Sequence, residues 1–177
     1  MTNDEVHSAV VRWIKAKTGA TTIKAHQSGP TPALPYVMVN DTGTAEVRRW
    51  HQSIEYTETI IPPAEEEEDG EEEKIVTAAP VIEMEWRFSV HSFGSSPADR
   101  LRPIVSAMKV PQAMEPLMPG LHVHEISQIR NVPDWINNEW QPRAQMDLIV
   151  RGIIRDSVGE VDVIDEYSFD IAQMSAE

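Results

Sequence analysis

The chain contains no cysteine, which excludes disulfides and thiolate metal ligands alike. Glycine is sparse: the eight residues are scattered, with no G-x-x-x-x-G-K-[ST] and no G-x-G-x-x-G, so neither type of phosphate-cradling loop is present. No G-x-S-x-G elbow occurs to anchor a hydrolase triad. Positive charge is scarce, with 15 Lys and Arg against 29 Asp and Glu and a net charge of −14. Gripping nucleic acid through its phosphates needs clustered Lys and Arg, so this balance argues against that mode and against anionic membranes. No apolar run approaches membrane-spanning length. The opening "MTNDEVHSAV" lacks the basic start and apolar run of a signal peptide. Together these absences predict a soluble chain made in a cytoplasm.

What is present is enough for one domain with a real core: 177 residues, 41% hydrophobic. Thr2 and Glu5 fit a capping box at the start of a helix whose apolar face carries Val6, Val10, Trp13 and Ile14. Lys15 and Lys17 suit its negative end, and Gly19 suits the stop. A short strand, "TTIKAH", precedes a proline-rich connector with Pro30, Pro32 and Pro35, and "YVMVND" and "SIEYTETII" read as further strands. In "VIEMEWRFSVH", Ile82, Met84, Trp86, Phe88 and Val90 alternate with Glu83, Glu85, Arg87, Ser89 and His91. That pattern predicts an antiparallel strand with one face on a core and one in water. A second helix is signalled by "SSPADRLRPIVSAMKV", with Ser96 as cap, Pro97 at the first position and Asp99 completing the box. Pro103 predicts a kink or a late start, and Pro111, Pro116 and Pro119 forbid a long continuation. The last third holds strands in "LHVHEISQI", "QMDLIVRGII" and "EVDVIDEYSF". Between the first two lies a polar loop, "RNVPDWINNEWQPR". This order predicts an α+β fold: an antiparallel or mixed β-sheet with two main helices packed on one face, in a single domain over residues 1–177.

One stretch breaks the pattern. Of the nine residues from Glu65 to Glu73, eight are acidic: Glu65, Glu66, Glu67, Glu68, Asp69, Glu71, Glu72 and Glu73. The block accounts for −8 of the −14, leaving −6 for the rest. It lies between two strands, within a loop at 62–74, and its like charges and lack of aromatics predict a solvated, flexible excursion. It lacks the spacing of an EF-hand loop, which leaves little basis for a calcium site.

Other chemistry is thin. His122 and His124 lie two apart on a strand and share a face, but a third metal ligand at suitable spacing is not evident, and two histidines on a wet face are the simpler reading. Glu83 and Glu85 resemble a carboxylate pair, yet alternating strands produce such pairs routinely. No catalytic, cofactor or metal site is assigned. Of five tryptophans, Trp13 and Trp86 fall on predicted core faces, whereas Trp50, Trp135 and Trp140 sit in polar loops. Loop tryptophans either cap a core edge or meet another protein.

The order of elements, and in particular "EWRFSVHSFGSS", "DRLRPIVSAM" and "DWINNEWQPRAQMDLIVRG", resembles the tail terminator and neck proteins of tailed bacteriophages. The resemblance covers nearly the whole chain and implies a small sheet flanked by helices. It also implies a virion structural protein, not an enzyme, that forms a closed homo-oligomeric ring, commonly a hexamer. Such a ring ends tail-tube polymerisation and joins the tail tube protein to the head–tail connector or head completion protein. The DNA would then pass through the lumen without specific binding. No cofactor is implied, and the acidic block departs from the pattern. On this reading the candidate interface residues are Trp135, Asn137, Asn138 and Trp140 in an axial contact loop. Arg100 and Arg102 would meet acids across a subunit seam, and sheet edges would close the ring. The rival reading is a soluble cytoplasmic enzyme or ligand-binding domain with no recognisable motif.

Overall fold

A computed structural model of the chain describes residues 1–48, 53–61, 73–110, 120–136, 138–156 and 159–161. Among these, two helices and ten strands follow one another: α1 (Asn3–Thr18), β1 (Thr21–Lys24), β2 (Tyr36–Glu46), β3 (Ser53–Ile61), β4 (Glu73–Phe93), α2 (Pro97–Ala107), β5 (Leu121–Ile126), β6 (Arg130–Asn131), β7 (Asp134–Ile136), β8 (Glu139–Gln141), β9 (Arg143–Arg155) and β10 (Gly159–Glu160). The fold is α+β, and the main sheet is mixed: β1 runs parallel to β2, and the other pairs are antiparallel.

The first helix forms as its sequence dictates. Thr2 and Glu5 make the full capping box, and Gly19 closes the helix in the left-handed conformation, its amide donating to the Lys15 carbonyl. The second helix departs from expectation at its start. Ser96 is the N-cap but sits in the left-handed region and makes no side-chain cap bond, so the Ser96–Asp99 box is not formed. Pro97 occupies the first turn, and Arg100 holds the entry from strand to helix instead. Its guanidinium donates to Ser92 Oγ (3.0 Å), the Phe93 carbonyl (3.3 Å) and the Ser95 carbonyl (2.8 Å). Pro103 neither delays nor ends the helix, which runs from Pro97 to Ala107. Proline removes one backbone bond there, while Leu101, Ile104 and Ala107 bury on both sides of it.

A single core cluster joins both helices to alternate residues of the sheet. It takes Val6, Val10, Trp13 and Ile14 from α1 and Leu101 and Ile104 from α2. From the sheet it takes Val37 and Val39 of β2, Trp86, Phe88 and Val90 of β4, and Met146, Leu148 and Val150 of β9. Trp86 is buried with its indole N–H satisfied, donating to Asn3 Oδ1 at 2.8 Å at the start of α1. Gly152 of β9 faces Leu121 so closely that an added Cβ would lie 2.7 Å from the leucine Cδ2 and 2.9 Å from the Gly120 carbonyl oxygen.

The long strand β4 organises everything else. Its C-terminal half pairs with β2 on one edge and β9 on the other. Its N-terminal half, from Glu73 to Val81, pairs with β3. β10 continues the line of β9, pairing at Ala78 and Thr77, so β3 lies on the edge shared with β2. β3, the first half of β4 and β10 therefore form an arm extending the sheet past the region where the helices cover it. Beyond β9, the opposite edge is lined by β5 and β6. The strand expected in "EVDVIDEYSF" lies outside the described residues except for β10 and Val161.

Candidate functional site

The sheet face away from the helix-packed core carries a ladder of polar side chains that the alternating sequence assigned to water. Water is largely excluded from its centre: Glu85, Ser89 and His91 are all buried. Arginine side chains of neighbouring positions satisfy Glu85 and His91, and Asp147 and Gln145 satisfy Ser89. Glu85 accepts from Arg87 Nε at 2.8 Å and from Arg151 Nη2 at 2.9 Å, its direct partner across to β9. Burial alone would raise this carboxyl, but the hydrogen bonds from Arg151 and Arg87 outweigh it and hold its pKa below the usual carboxylate range. Ser89 donates to Asp147 Oδ1 (3.0 Å), Gln145 donates to Ser89 Oγ (2.9 Å), and Arg130 donates to Asp147 Oδ2 (2.6 Å). Glu85 is thus a structural anchor bonded to two arginines, not half of a carboxylate pair with Glu83.

The ladder ends at the most informative feature of the molecule. The segment expected as a polar loop, "NVPDWINNEW", is a β-hairpin in which β7 and β8 pair Trp135 directly with Trp140. The two indoles meet edge to face, centroids 5.1 Å apart, yet Trp135 is 56% exposed and Trp140 66%. They do not cap the core. Asn138, at the turn, has a positive φ of 62°, a conformation asparagine tolerates better than most residues, while Asn137 lies outside the described residues.

The hairpin is fixed at its root. Asp134, its first residue, accepts from Arg143 Nη1 at 2.6 Å, and Arg143 Nη2 reaches His91 Nδ1 at 2.9 Å. An arginine can only donate, so His91 Nδ1 is unprotonated and the ring neutral. Burial and the adjacent Arg143 charge push the His91 pKa down to about 4, against the opposing pull of Asp147 and Asp134. The Arg143 guanidinium also lies over the Phe93 ring, 5.4 Å from its centroid. Beside the hairpin, Leu34, Ile136, Trp140 and Pro142 line an open groove of about 350 Å³.

The remaining candidates are placed as follows. Arg100 is engaged within its own subunit, as described above. Arg102 is exposed and lies 3.5 Å from Asp99, one helical turn away. His122 and His124 are both exposed, their ring centroids 6.5 Å apart, and the β5–β9 register shifts between Val123 and Glu125. Among the described residues, no three His, Asp or Glu side chains converge on a possible metal position. No described helix is long and apolar enough to cross a membrane. Trp50 and the acidic block from Glu65 to Glu72 lie outside the described residues, as does the Glu73 side chain.

The site is thus a buried polar ladder whose charges are bonded among themselves, with a pair of exposed tryptophans held out from its end. The chain matches the family described as phage neck terminator protein over residues 4–173. The chain belongs to the phage neck terminator proteins. Its role is therefore structural, in the neck of the virion where tail and head meet. No curated protein matches it.

Proposed function

We propose that the chain is the subunit of a closed ring that ends tail-tube growth and joins the tube to the head connector. The exposed Trp135–Trp140 pair carries the reading. A hairpin tied down by Asp134, Arg143 and His91 can present two aromatic rings at little ordering cost, as an axial contact toward a neighbouring virion protein requires.

Ring closure needs a heterologous interface, with different surfaces on the two sides of each subunit. The sheet supplies them: β1 and β3 form one edge and β5 and β6 the other, and each edge leaves backbone groups open to pairing. Six copies is the number the family resemblance suggests. Arg102 remains a candidate for ion pairing across the seam, whereas Arg100 is not, because its donors serve the turn before α2. DNA passes through the lumen without specific binding.

The test is a phage lacking this chain. The reading expects tails of irregular, excessive length and heads that remain separate from them. Particles with tails of normal length joined to heads would refute it.

A further inference from the structure

The arm presents an apolar face that no described residue covers. Residues paired across antiparallel strands share a face, so Ile54, Tyr56 and Ile60 of β3 lie on the same side as Val76, Ala78 and Pro80 of β4. By the alternation of β4, that is also the side on which Trp86, Phe88 and Val90 meet the helices. Yet Ile54 is 44% exposed, Tyr56 64% and Ile60 52%. A narrow ribbon with such a face is poorly stable alone and calls for a partner.

A second surface with apolar lining lies on the helix-bearing side. Met1, Val6, Ala9 and Leu121 line an open groove of about 270 Å³ between α1 and the start of β5, with Glu5 and Arg12 on its rim. Val6, Ala9 and Leu121 belong to the core cluster and floor the groove, and Met1 is exposed beside them. We infer that the arm of one subunit docks its Ile54–Tyr56–Ile60 face on the α1–β5 groove of the next copy in the ring. This inference deepens the ring reading and rests on it.

Three observations select a second copy as the occupant. The arm lies on the β2 side of β4, whereas the groove opens on the side of α1 that meets Leu121 of β5, beside β9, so the two face different ways as a head-to-tail contact requires. Both are on the helix-bearing side, so the arm meets the groove without turning over. Charge also agrees: Glu58 shares the arm face with Tyr56, whereas the outer side of α1 presents Arg12 and Lys15. Such rim charges set register more than affinity.

The absence of native cysteine makes the contact directly testable. Full-length chain carrying both Tyr56→Cys and Arg12→Cys, assembled and treated with a short bis-maleimide, is expected to give a ladder of covalent oligomers ending at the ring. The pair Tyr56→Cys with Thr21→Cys, both on one edge, should not. The Tyr56→Cys thiol should label freely in the monomer and become protected on assembly. Tyr56→Glu should weaken assembly roughly tenfold or more while leaving the monomer folded, because Tyr56 is exposed there. Rings that form without the Tyr56–Arg12 cross-link would overturn this contact and leave the ring reading standing. A thiol already protected in the monomer would show that the chain's own residues cover the arm, and would overturn it too. A wild-type chain that never assembles would remove the ring reading and the contact together.

Discussion

Replacing Trp135 and Trp140 by alanine separates a contact role from a folding role most cleanly. Taking about 250 Å² for a whole tryptophan, exposures of 56% and 66% leave roughly 300 Å² of the pair open in the free subunit. A partner covering all of it would gain at most about 8 kcal/mol at ~25 cal/mol per Å². Ordering and desolvation costs reduce that, and about 2 kcal/mol per tryptophan, or roughly 30-fold each in affinity, is a realistic expectation for central anchors. Within the subunit the same change removes only the edge-to-face contact, roughly 0.5–1.5 kcal/mol, from a hairpin outside the core cluster. The thermal midpoint of W135A/W140A should therefore fall by only about 1–6 °C, and unfolding should stay cooperative. Joining of purified heads to tails carrying the variant should drop sharply. W135F and W140F should recover part of it. A midpoint loss well beyond this range, or joining at the wild-type rate, would refute the reasoning.

Three further outcomes are expected. His91 binds a proton less readily folded than unfolded, so stability is full above about pH 6.5 and declines as pH falls toward 4, by up to ~3 kcal/mol; thermal melts across this range should show the decline, and His91→Gln should flatten it. Gly152→Ala should destabilise the subunit by about 1–3 kcal/mol in denaturant melts, because the new methyl meets Leu121 and the Gly120 carbonyl, whereas Ile153→Ala on the exposed position beside it should cost less than 1 kcal/mol. Exchanging residues 65–73 for a neutral Gly/Ser linker of equal length should leave ring formation and infectivity unchanged, and normal rings with slowed DNA release would instead assign the acids to the lumen.

The helices and the core were the most legible parts of the sequence. Trp13, Trp86 and the alternation from Ile82 to Val90 are fixed by periodicity, and the Thr2–Glu5 box and Gly19 by local chemistry. Features that depend on pairing across the sheet were not legible. The alternation placed Glu85, Ser89 and His91 in water, because it cannot show that Arg151, Asp147 and Arg143 on β9 stand over them. The Trp135–Trp140 hairpin was hidden because its strands have three residues each, too short for a period, and Pro133 and two asparagines read as loop. Arg100 looked like a surface charge because its acceptors include two backbone carbonyls, which no sequence pattern displays. The apolar side of β3 was visible as Ile54, Tyr56 and Ile60, but its exposure follows from β4 outrunning the helices, a matter of relative length in the folded sheet.

The central claim, a ring of this chain in the neck, is tested most directly by electron cryomicroscopy of the intact particle. The account predicts a closed ring of copies between tail tube and head connector, with Trp135 and Trp140 facing an axial neighbour and each subunit's sheet edges facing the next. A neck that lacks this chain, or holds it as isolated copies without a closed ring, would contradict it.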